Sequence, residues 1–210
     1  MVQNIYLARH GETNDNVNRI VQGGDSVLSV RGEQQAVVLA ERLKTLSFQH
    51  LIVSDYIRTR QTVVPLLPHI SIVPEYTSLV RETKQPTSLV GISNQSEEFR
   101  SYAVQVGDHL SDPTWRFEDE ENFFDVIERV QQFFTSLEKR DGDVLVVTHG
   151  RFIIYLVMYV LTGGNLTPDV WNTCRHGFET TNTGITHFRF NTQRTEWKLL
   201  TFNDQSHFAE

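Results

Sequence analysis

Short apolar runs alternate along the chain with longer stretches in which apolar residues recur at helical spacing. Residues 5–8, 51–53 and 144–147 are compact apolar runs, a pattern typical of buried strands. The last run is rich in β-branched side chains, as expected of a central parallel strand covered on both faces. Helical stripes are formed by Ala36, Leu39, Ala40 and Leu43, and by Phe123, Ile127, Val130, Phe134 and Leu137. This alternation predicts an α/β fold with a mostly parallel central sheet.

Polar residues and short apolar pieces indicate the remaining element boundaries. Residues 70–73 are predicted to form a third strand. Ser29 and Ser54 are predicted to cap the helices that follow them, because a serine hydroxyl accepts from the free amides of a first turn. The acidic residues 118–121 are expected to begin a helix, since negative charge suits a helix N-terminus. A closing hairpin is predicted about Asn191.

Chemically active side chains follow the predicted strands at the point where each strand ends. Arg9, His10 and Gly11 come directly after the first strand, and His149 follows the run 144–147. The carboxyl ends of parallel strands share one edge of a sheet, where ligand crevices form. A guanidinium binds phosphate oxygens in pairs, whereas a fixed positive charge beside His10 is unfavourable to a metal ligand. The pattern therefore predicts an anion site without a metal.

The chain contains a second copy of the triplet, Arg175-His176-Gly177, so the triplet alone does not predict a catalytic site. It follows Trp171-Asn172-Thr173-Cys174 rather than an apolar strand. We therefore interpret this copy as non-catalytic, because position after a strand, and not the triplet itself, carries the prediction.

Further matches accompany the first triplet. Asn16 completes the segment that begins at Arg9, the stretch from Ser54 to Thr62 supplies Arg58, and residues 144–147 run into Thr148-His149-Gly150. In this order the blocks resemble the histidine phosphatase superfamily, the phosphoglycerate-mutase-like enzymes, over nearly the whole chain. The resemblance implies a three-layer αβα sandwich with a mostly parallel central sheet and a helical cap insertion.

The resemblance also implies roles for individual residues. His10 would be the nucleophile of a phosphoryl-transfer enzyme that uses no metal. The phosphate would be held by Arg9, Arg58 and His149, and the positions matching the family's substrate-binding residues are Asn16, Gln22, Gly23 and Gly150.

The family's general acid is a Glu that follows the third strand. Glu82 is the best-placed candidate here and Glu75 is the alternative. Glu82 is followed by Thr83-Lys84-Gln85-Pro86 rather than by the glycine-containing stretch of the better-known branches. This departure favours a phosphatase over a mutase. Residues 83–121 are predicted to form the cap and to determine substrate specificity, with a helical stripe made of Phe99, Tyr102, Ala103, Val106 and Leu110.

Composition sets limits on domain count and partners. With 210 residues the chain suits one domain over 1–210, and a net charge of −7 with a pI near 5.6 argues against nucleic-acid or anionic-membrane binding. Cys174 is the only cysteine, which excludes an intramolecular disulfide; we expect it to be a small buried apolar residue. The apolar run 152–161 falls short of the roughly 20 residues of a membrane span. With no secretory signal pattern before Arg9, the expected location is cytoplasmic.

The sequence thus predicts a metal-independent phosphomonoester hydrolase that acts through a phosphohistidine on His10 and needs no cofactor. Its expected partner is a small phosphorylated metabolite. Phosphoglycerate-mutase-type transfer and a non-catalytic phospho-ligand-binding protein are the two alternatives. A homodimer stays open, and the sequence does not name the substrate.

Overall fold

The computed structural model describes residues 2–208, which form six strands and seven helices. The strands are β1 (Val2–Arg9), β2 (His50–Ser54), β3 (Glu75–Thr77), β4 (Val144–Thr148), β5 (Ile185–Asn191) and β6 (Glu196–Asp204). The helices are α1 (Asn14–Asn18), α2 (Val30–Leu43), α3 (Ile57–Val63), α4 (Glu97–Asp108), α5 (Phe123–Glu138), α6 (Gly150–Leu161) and α7 (Pro168–Cys174). None of these helices is long and apolar enough to span a bilayer.

All six strands belong to one sheet in the order β3-β2-β4-β1-β5-β6. The first four in this order run parallel, and β5 and β6 are antiparallel to their neighbours. Side chains alternate between faces, so Val144 and Val146 pack into one apolar cluster while Leu145 and Val147 pack into the other. Helices α5 and α6 cover the first face, and α2 and α3 cover the second. The predicted three-layer αβα sandwich with a mostly parallel sheet is confirmed.

Two strand predictions have different outcomes. The closing hairpin is confirmed, because β5 ends at Asn191 and pairs antiparallel with β6. The third strand is not formed by residues 70–73 but by Glu75–Thr77, which pairs with β2. Ile70 and Ile72 are half-buried against the core cluster on one face of the sheet. Their alternation therefore reflects packing onto that cluster, and backbone pairing begins only after Pro74.

The predicted helix starts are partly correct. Ser29 caps α2 as expected, its side chain accepting from the amide of Gly32. Ser54 does not cap α3, because β2 continues through Ser54 and Tyr56 is the N-cap residue. Arg58 is therefore the second residue of α3, which is nearer the start of the helix than a cap at Ser54 would place it.

The acidic residues 118–121 precede α5 rather than begin it. Asn122 is the N-cap residue and forms a capping box with Asp125. The carboxylate of Glu120 accepts from the Tyr102 hydroxyl and from the amide of Phe117, and that of Glu121 pairs with Arg129. These carboxylates stabilise turns in the segment before the helix and leave the helix cap to Asn122.

The predicted cap segment contains α4, which lies against the rest of the molecule without a fully buried residue. Phe99, Tyr102 and Val106 are half-buried, whereas Ala103 and Leu110 are exposed, so the predicted stripe is only partly confirmed. Cys174 was predicted to be buried, and that prediction is wrong: it lies exposed at the end of α7. Trp171 occupies the buried position of that short helix instead.

Candidate active site

Two histidines are placed side by side by neighbouring parallel strands. Arg9 ends β1 and Thr148 ends β4, and these two residues are aligned in the sheet register. His10 and His149 are the next residues on each chain segment, so their rings meet with centroids 5.2 Å apart at 60°. Their exposures are only 2% and 0%. The prediction that the strand ends bring these two histidines together is confirmed.

The His10 ring is oriented by a single hydrogen bond. Its Nδ1 lies 2.7 Å from the carbonyl oxygen of Gly11. Because a carbonyl only accepts, Nδ1 must carry the proton, and the neutral ring then has its free electron pair on Nε2. Burial lowers the pKa of His10 well below 6.5, and the positive charges of Arg58 and Arg9 lower it further. The ring is therefore neutral at pH 7 and has a free nitrogen.

Two arginines supply positive charge next to His10. Arg58 is 1% exposed and donates from Nη1 to the carbonyl of Gly23 at 2.6 Å, and Arg9 donates to the carbonyl of Thr180 at 2.5 Å. The Nε atoms of both are buried and find no hydrogen-bond partner within residues 2–208. Burial lowers the pKa of Arg58 to about 10, so the group stays charged at neutral pH. Neither guanidinium forms an ion pair with an acidic side chain of the described chain, which leaves both available to an anion.

His149 is held by a serine that the sequence prediction did not assign to the site. Its Nε2 lies 2.8 Å from the hydroxyl of Ser54, at the end of β2, and its ring meets Tyr56 edge to face at 5.4 Å. Its buried Nδ1 has no partner among the described residues. Burial lowers the pKa of His149 well below 6.5, with Arg58 the next cause. If the Ser54 hydroxyl donates to Nε2, then Nδ1 carries the proton and is a donor to an anion.

Glu82 lies against the first turn of α6. Its carboxylate accepts from the backbone amides of Thr83, Arg151 and Phe152 at 2.9, 3.1 and 3.0 Å. The hydroxyl of Thr148 donates to the carbonyl of Val80 and so ties the preceding turn to β4. A carboxylate at a helix N-terminus is favourably placed. Glu82 is thereby held in a defined position at the edge of the site.

A cavity of about 200 Å³ connects most of these groups, although His149 does not line it. Its walls include Arg9, His10, Arg58 and Glu82, but not Glu75. Glu75 is exposed and pairs with Arg140 at 2.8 Å. From the predicted cap segment the cavity receives Thr83, Gln85, Asn94 and Phe99. Of the two carboxylates considered, only Glu82 therefore faces the same space as His10.

The remaining predicted site residues lie at different distances from the cavity. Gln22 lines it and has a buried side-chain oxygen without a partner in the described chain. Gly23 contributes the carbonyl that holds Arg58. Gly150 begins α6, where a Cβ would come within 2.6 Å of the Thr180 hydroxyl and 3.2 Å of the Arg9 Nε. Asn16 does not line the cavity: its side-chain oxygen accepts from the amide of Thr13 in the capping box of α1.

The second triplet stays away from this cavity. Arg175–Gly177 forms a short 3₁₀ turn after α7, and its His176 is exposed. Arg60 is also exposed and lies over the ring of Tyr76 at 4.2 Å. Neither His176 nor Arg60 lines the walls around His10.

Sequence reasoning missed several residues that hold the site in place. The side-chain amide of Asn182 donates to the carbonyl of His10, and the Thr62 hydroxyl accepts from the amide of Gly11. Ser54 and Tyr56 stand within the block that supplied Arg58, so their proximity to the site was readable from the sequence. Asn182 follows no motif, and no signal could have found it.

Within residues 2–208 no group of three or more His, Cys, Asp and Glu side chains is arranged to hold a metal ion.

Fold and site together define an α/β protein with a pocket lined by His10 and two arginines at the carboxyl edge of its sheet. The model of the histidine phosphatase superfamily (branch 1) matches residues 5–205, and the chain belongs to this superfamily. A probable phosphoglycerate mutase GpmB from Salmonella arizonae is 34% identical over 161 residues, which cover 75% of this chain and 74% of the relative. Its counterpart from Escherichia fergusonii is 32% identical over 164 residues, with the same two shares.

Solved structures show the same fold at lower identity. Mycobacterial glucosyl-3-phosphoglycerate phosphatase is 24% identical with a TM-score of 0.79, covering 98% of this chain and 100% of its own. A mutant phosphoserine phosphatase from Entamoeba histolytica, in complex with phosphoserine, is 22% identical with a TM-score of 0.78, covering 98% and 99%.

Proposed function

We propose that this protein is a metal-independent phosphatase that hydrolyses phosphomonoesters through a phosphohistidine on His10. The observation that carries the proposal is the environment of that ring: a neutral, buried imidazole with a free Nε2 lines a cavity together with two guanidinium groups that have no acidic partner among residues 2–208. A phosphoryl group supplies the negative oxygens that such a cavity lacks.

In the first step the free electron pair of His10 Nε2 attacks phosphorus in line with the ester oxygen. The N–P bond forms as the P–O bond to the alcohol breaks. Glu82, in its protonated form, gives its proton to the departing alkoxide oxygen. Arg9, Arg58 and His149 hold the equatorial phosphoryl oxygens and stabilise their charge in the transition state.

In the second step a water molecule attacks the phosphoryl group on His10. Glu82, now a carboxylate, takes a proton from that water, and the N–P bond breaks with its electron pair returning to Nε2. Inorganic phosphate and the starting form of the enzyme result. The same carboxyl group thus serves as acid and then as base, as reversal of its first role demands.

The substrate we propose is a small phosphorylated metabolite, bound beneath residues 83–121, which act as a cap because four of them line the cavity. Gln22 would contact the substrate, Gly23 would hold Arg58 and Gly150 would leave room for Arg9, whereas Asn16 would act only through the cap of α1. We propose a cytoplasmic location. Support for phosphatase activity comes from the solved phosphatases of the same fold.

Phosphoglycerate-mutase-type transfer is the second candidate, because the curated relatives at 32–34% identity carry that name. The two activities differ in what they release. A mutase moves phosphate between positions of one substrate and liberates little of it, whereas a phosphatase liberates one phosphate per turnover. A purely binding protein has no need of the free nitrogen on His10.

The test of the proposal is to trap the intermediate. Wild-type protein incubated with ³²P-labelled phosphomonoesters should become phosphorylated, with a label that is stable in base and lost in acid. His10→Ala should show neither label nor turnover, because no other histidine of the described residues lines the cavity. The matched control is His176→Ala, in the exposed second triplet, which should retain both. Turnover in His10→Ala together with an inactive His176→Ala would reverse the assignment.

Metal independence has its own test. Because Arg and His stabilise the charge that Mg²⁺ stabilises in other phosphoryl-transfer enzymes, exhaustive treatment with EDTA should leave the rate of phosphate release within about twofold of the untreated rate. Vanadate, which resembles the five-coordinate phosphoryl group, should inhibit. An activity that disappears with EDTA and returns with a divalent cation would contradict the proposed mechanism.

A further inference from the structure

A second cavity adjoins the first on the side of α6 and α7. It measures about 130 Å³ and shares Thr83, Gln85 and Arg151 with the walls of the His10 cavity. The two spaces therefore meet at these three residues. The aromatic residues that line the second cavity are Tyr102, Trp115, Phe123, Tyr155 and Trp171.

Two arginines without an acidic partner lie close together in the walls of this second cavity. Arg151 lines both cavities, and its guanidinium makes no hydrogen bond or ion pair with any of residues 2–208. Arg175 lines the second cavity, lies 6.0 Å from the Trp171 ring centroid and, within residues 2–208, donates only to the ring of His176. Burial lowers the pKa of Arg175, and repulsion from Arg151 lowers it further, so the two groups are close enough to oppose each other.

The three acidic side chains that line the second cavity already have hydrogen-bond or ion-pair partners. Glu121 pairs with Arg129, and Glu120 accepts from the Tyr102 hydroxyl and from the amide of Phe117. Asp112 accepts from the amide and hydroxyl of Thr114. The one lysine of these walls, Lys84, pairs with Asp119. Asp112 and Glu120 accept only from uncharged donors, and no acidic side chain of the described residues forms an ion pair with Arg151 or Arg175.

We propose that Arg151 and Arg175 bind a second anionic group, a carboxylate or a phosphate, carried by the alcohol portion of the substrate. This inference rests on the proposed function, since it places the phosphoryl group beside His10 and the second anion in the adjoining cavity. It defines the substrate class as phosphomonoesters with a negatively charged tail. Planar guanidinium groups suit both carboxylate and phosphate, because each presents two oxygens to the donors of one arginine.

Binding energy from a group remote from the reacting bond raises kcat/KM for substrates that possess the group. The protein should therefore select between phosphomonoesters that differ only in the charge of their tail. Glycerol 3-phosphate and 3-phosphoglycerate form such a pair, because they share a three-carbon skeleton and a carboxylate replaces one hydroxymethyl group. Glycerol 1,3-bisphosphate tests a phosphate in place of the carboxylate.

The experiment compares kcat/KM for these three substrates in wild type, Arg151→Gln, Arg175→Gln and the double variant. For wild type we expect at least one anionic substrate to exceed glycerol 3-phosphate by about tenfold or more, as the loss of a charge-assisted contact implies. Each single variant should reduce that ratio several-fold, mainly through KM, and the double variant should bring it close to one. The anionic substrate that shows the effect identifies the tail as carboxylate or phosphate. The matched control is Arg100→Gln, which removes the same charge from an exposed position on α4 outside both cavities and should keep the wild-type ratio.

A wild-type ratio near one, or equal losses on all three substrates in the variants, would overturn the subsite. Calorimetric binding of 3-phosphoglycerate, glycerol 1,3-bisphosphate and glycerol 3-phosphate to His10→Ala provides a measurement that does not need turnover. If wild type releases no phosphate but His10→Ala prefers an anionic compound in an Arg151- and Arg175-dependent way, the proposed phosphatase fails and the subsite stands. If wild type releases phosphate but shows no preference for an anionic compound in rate or binding, the subsite fails and the proposed phosphatase stands.

Discussion

At the scale of single residues, the polar atoms without partners are concentrated around His10. The Nε atoms of Arg9 and Arg58 and the Nδ1 of His149 are buried and lack a hydrogen-bond partner within residues 2–208. Each such atom costs about 1–3 kcal/mol when it is left unpaired in a folded protein. Arg9 and Arg58 line the His10 cavity and His149 is in ring contact with His10, and such a grouping favours a site for a ligand with acceptors, because native structures otherwise pair their buried polar groups.

Glu82 should matter in proportion to how poor the leaving group is. An alkoxide needs a proton in the transition state, whereas a nitrophenolate leaves largely unaided. Glu82→Gln should therefore slow alkyl phosphomonoesters by roughly 100-fold or more, within the range of general acid–base catalysis. Phosphorylation of His10 by p-nitrophenyl phosphate should slow much less. Since Glu82 also activates the water, stopped-flow measurements should show a burst of nitrophenol followed by a slow steady rate.

The matched control is Glu75→Gln, which removes the other carboxylate that the sequence offered. Glu75 is exposed and bound to Arg140, so its loss should leave the leaving-group dependence as in wild type. If Glu75→Gln instead shows the dependence and Glu82→Gln does not, the acid has been assigned to the wrong residue.

The residues of the site differ in how far the sequence predicts them. The grouping of Arg9, His10 and His149 follows from strand ends, because parallel neighbours deliver the residues after them to one edge. Arg58 follows from its place shortly after β2, which is another parallel strand of the same sheet. Asn182 could not be predicted, because its contact with His10 spans 172 positions and depends on a loop without any motif.

At the scale of elements, helix α2 holds the loop that carries the chemistry. The amide of Ser29, its N-cap residue, donates to the carbonyl of Glu12, and the side-chain oxygen of Gln35 accepts from the amide of Glu12. The backbones come so close at Gly32 that a Cβ there would lie 1.9 Å from the Glu12 carbonyl oxygen. A Cβ on Gly11 would in turn lie 2.6 Å from the carbonyl oxygen of Gly32. The loop after His10 therefore depends on a glycine within a helix.

Gly32→Ala should consequently destabilise the protein, although alanine is the better helix former. The helical preference of alanine is worth about 1 kcal/mol. The clash with a backbone oxygen cannot be relieved by a rotamer change, and overpacking of this kind costs typically about 1–3 kcal/mol or more. We expect a net loss of stability in chemical denaturation and a loss of activity, because the loop that orients His10 must shift.

Gly107→Ala in α4 is the matched control. No atom lies within 4 Å of the Cβ that it would add, and Gly107 is helical. It should stabilise the protein by about 0.5–1 kcal/mol, since only the helical preference operates. Equal stabilisation by both substitutions would show that α2 does not contact the loop as described.

The elements themselves were predictable where one periodicity dominates. The stripes of α2 and α5 and the runs of β1, β2 and β4 face the two central clusters, and burial of that kind leaves a strong pattern. Strand β3 has three residues, none of them buried, so it leaves almost no pattern. Helix α4 likewise has no buried residue, and the outcome of its stripe depends on contacts with distant segments.

At the scale of the whole molecule, the site makes stability depend on pH. His10 and His149 are buried in the folded state, where burial and the neighbouring guanidinium groups lower the pKa of both well below 6.5. In the unfolded chain each ring recovers a pKa near 6.5. Between the two values the unfolded chain binds protons that the native protein does not. Stability must therefore fall as the pH falls through 6.5, and continue to fall until the pH reaches the native pKa.

Each of the two histidines should contribute up to about 1.4 kcal/mol per pH unit to this decline, which is the value of one proton bound only by the unfolded chain. Urea unfolding of wild type should accordingly show a free energy of unfolding that is nearly constant above pH 7.5 and decreases between pH 6.5 and 5. His149→Gln should remove one of the two protons and make that slope shallower by about 1.4 kcal/mol per pH unit, whatever its stability at pH 8. His176→Gln, at the exposed histidine, is the control and should keep the wild-type slope.

Saturating phosphate at each pH tests the link to the site: by binding only the native state it should raise stability, and Arg58→Gln should abolish that increase. A wild-type slope that His149→Gln leaves unchanged would mean that His149 binds protons equally in the folded and unfolded chain, which would contradict the effect of its burial beside Arg58.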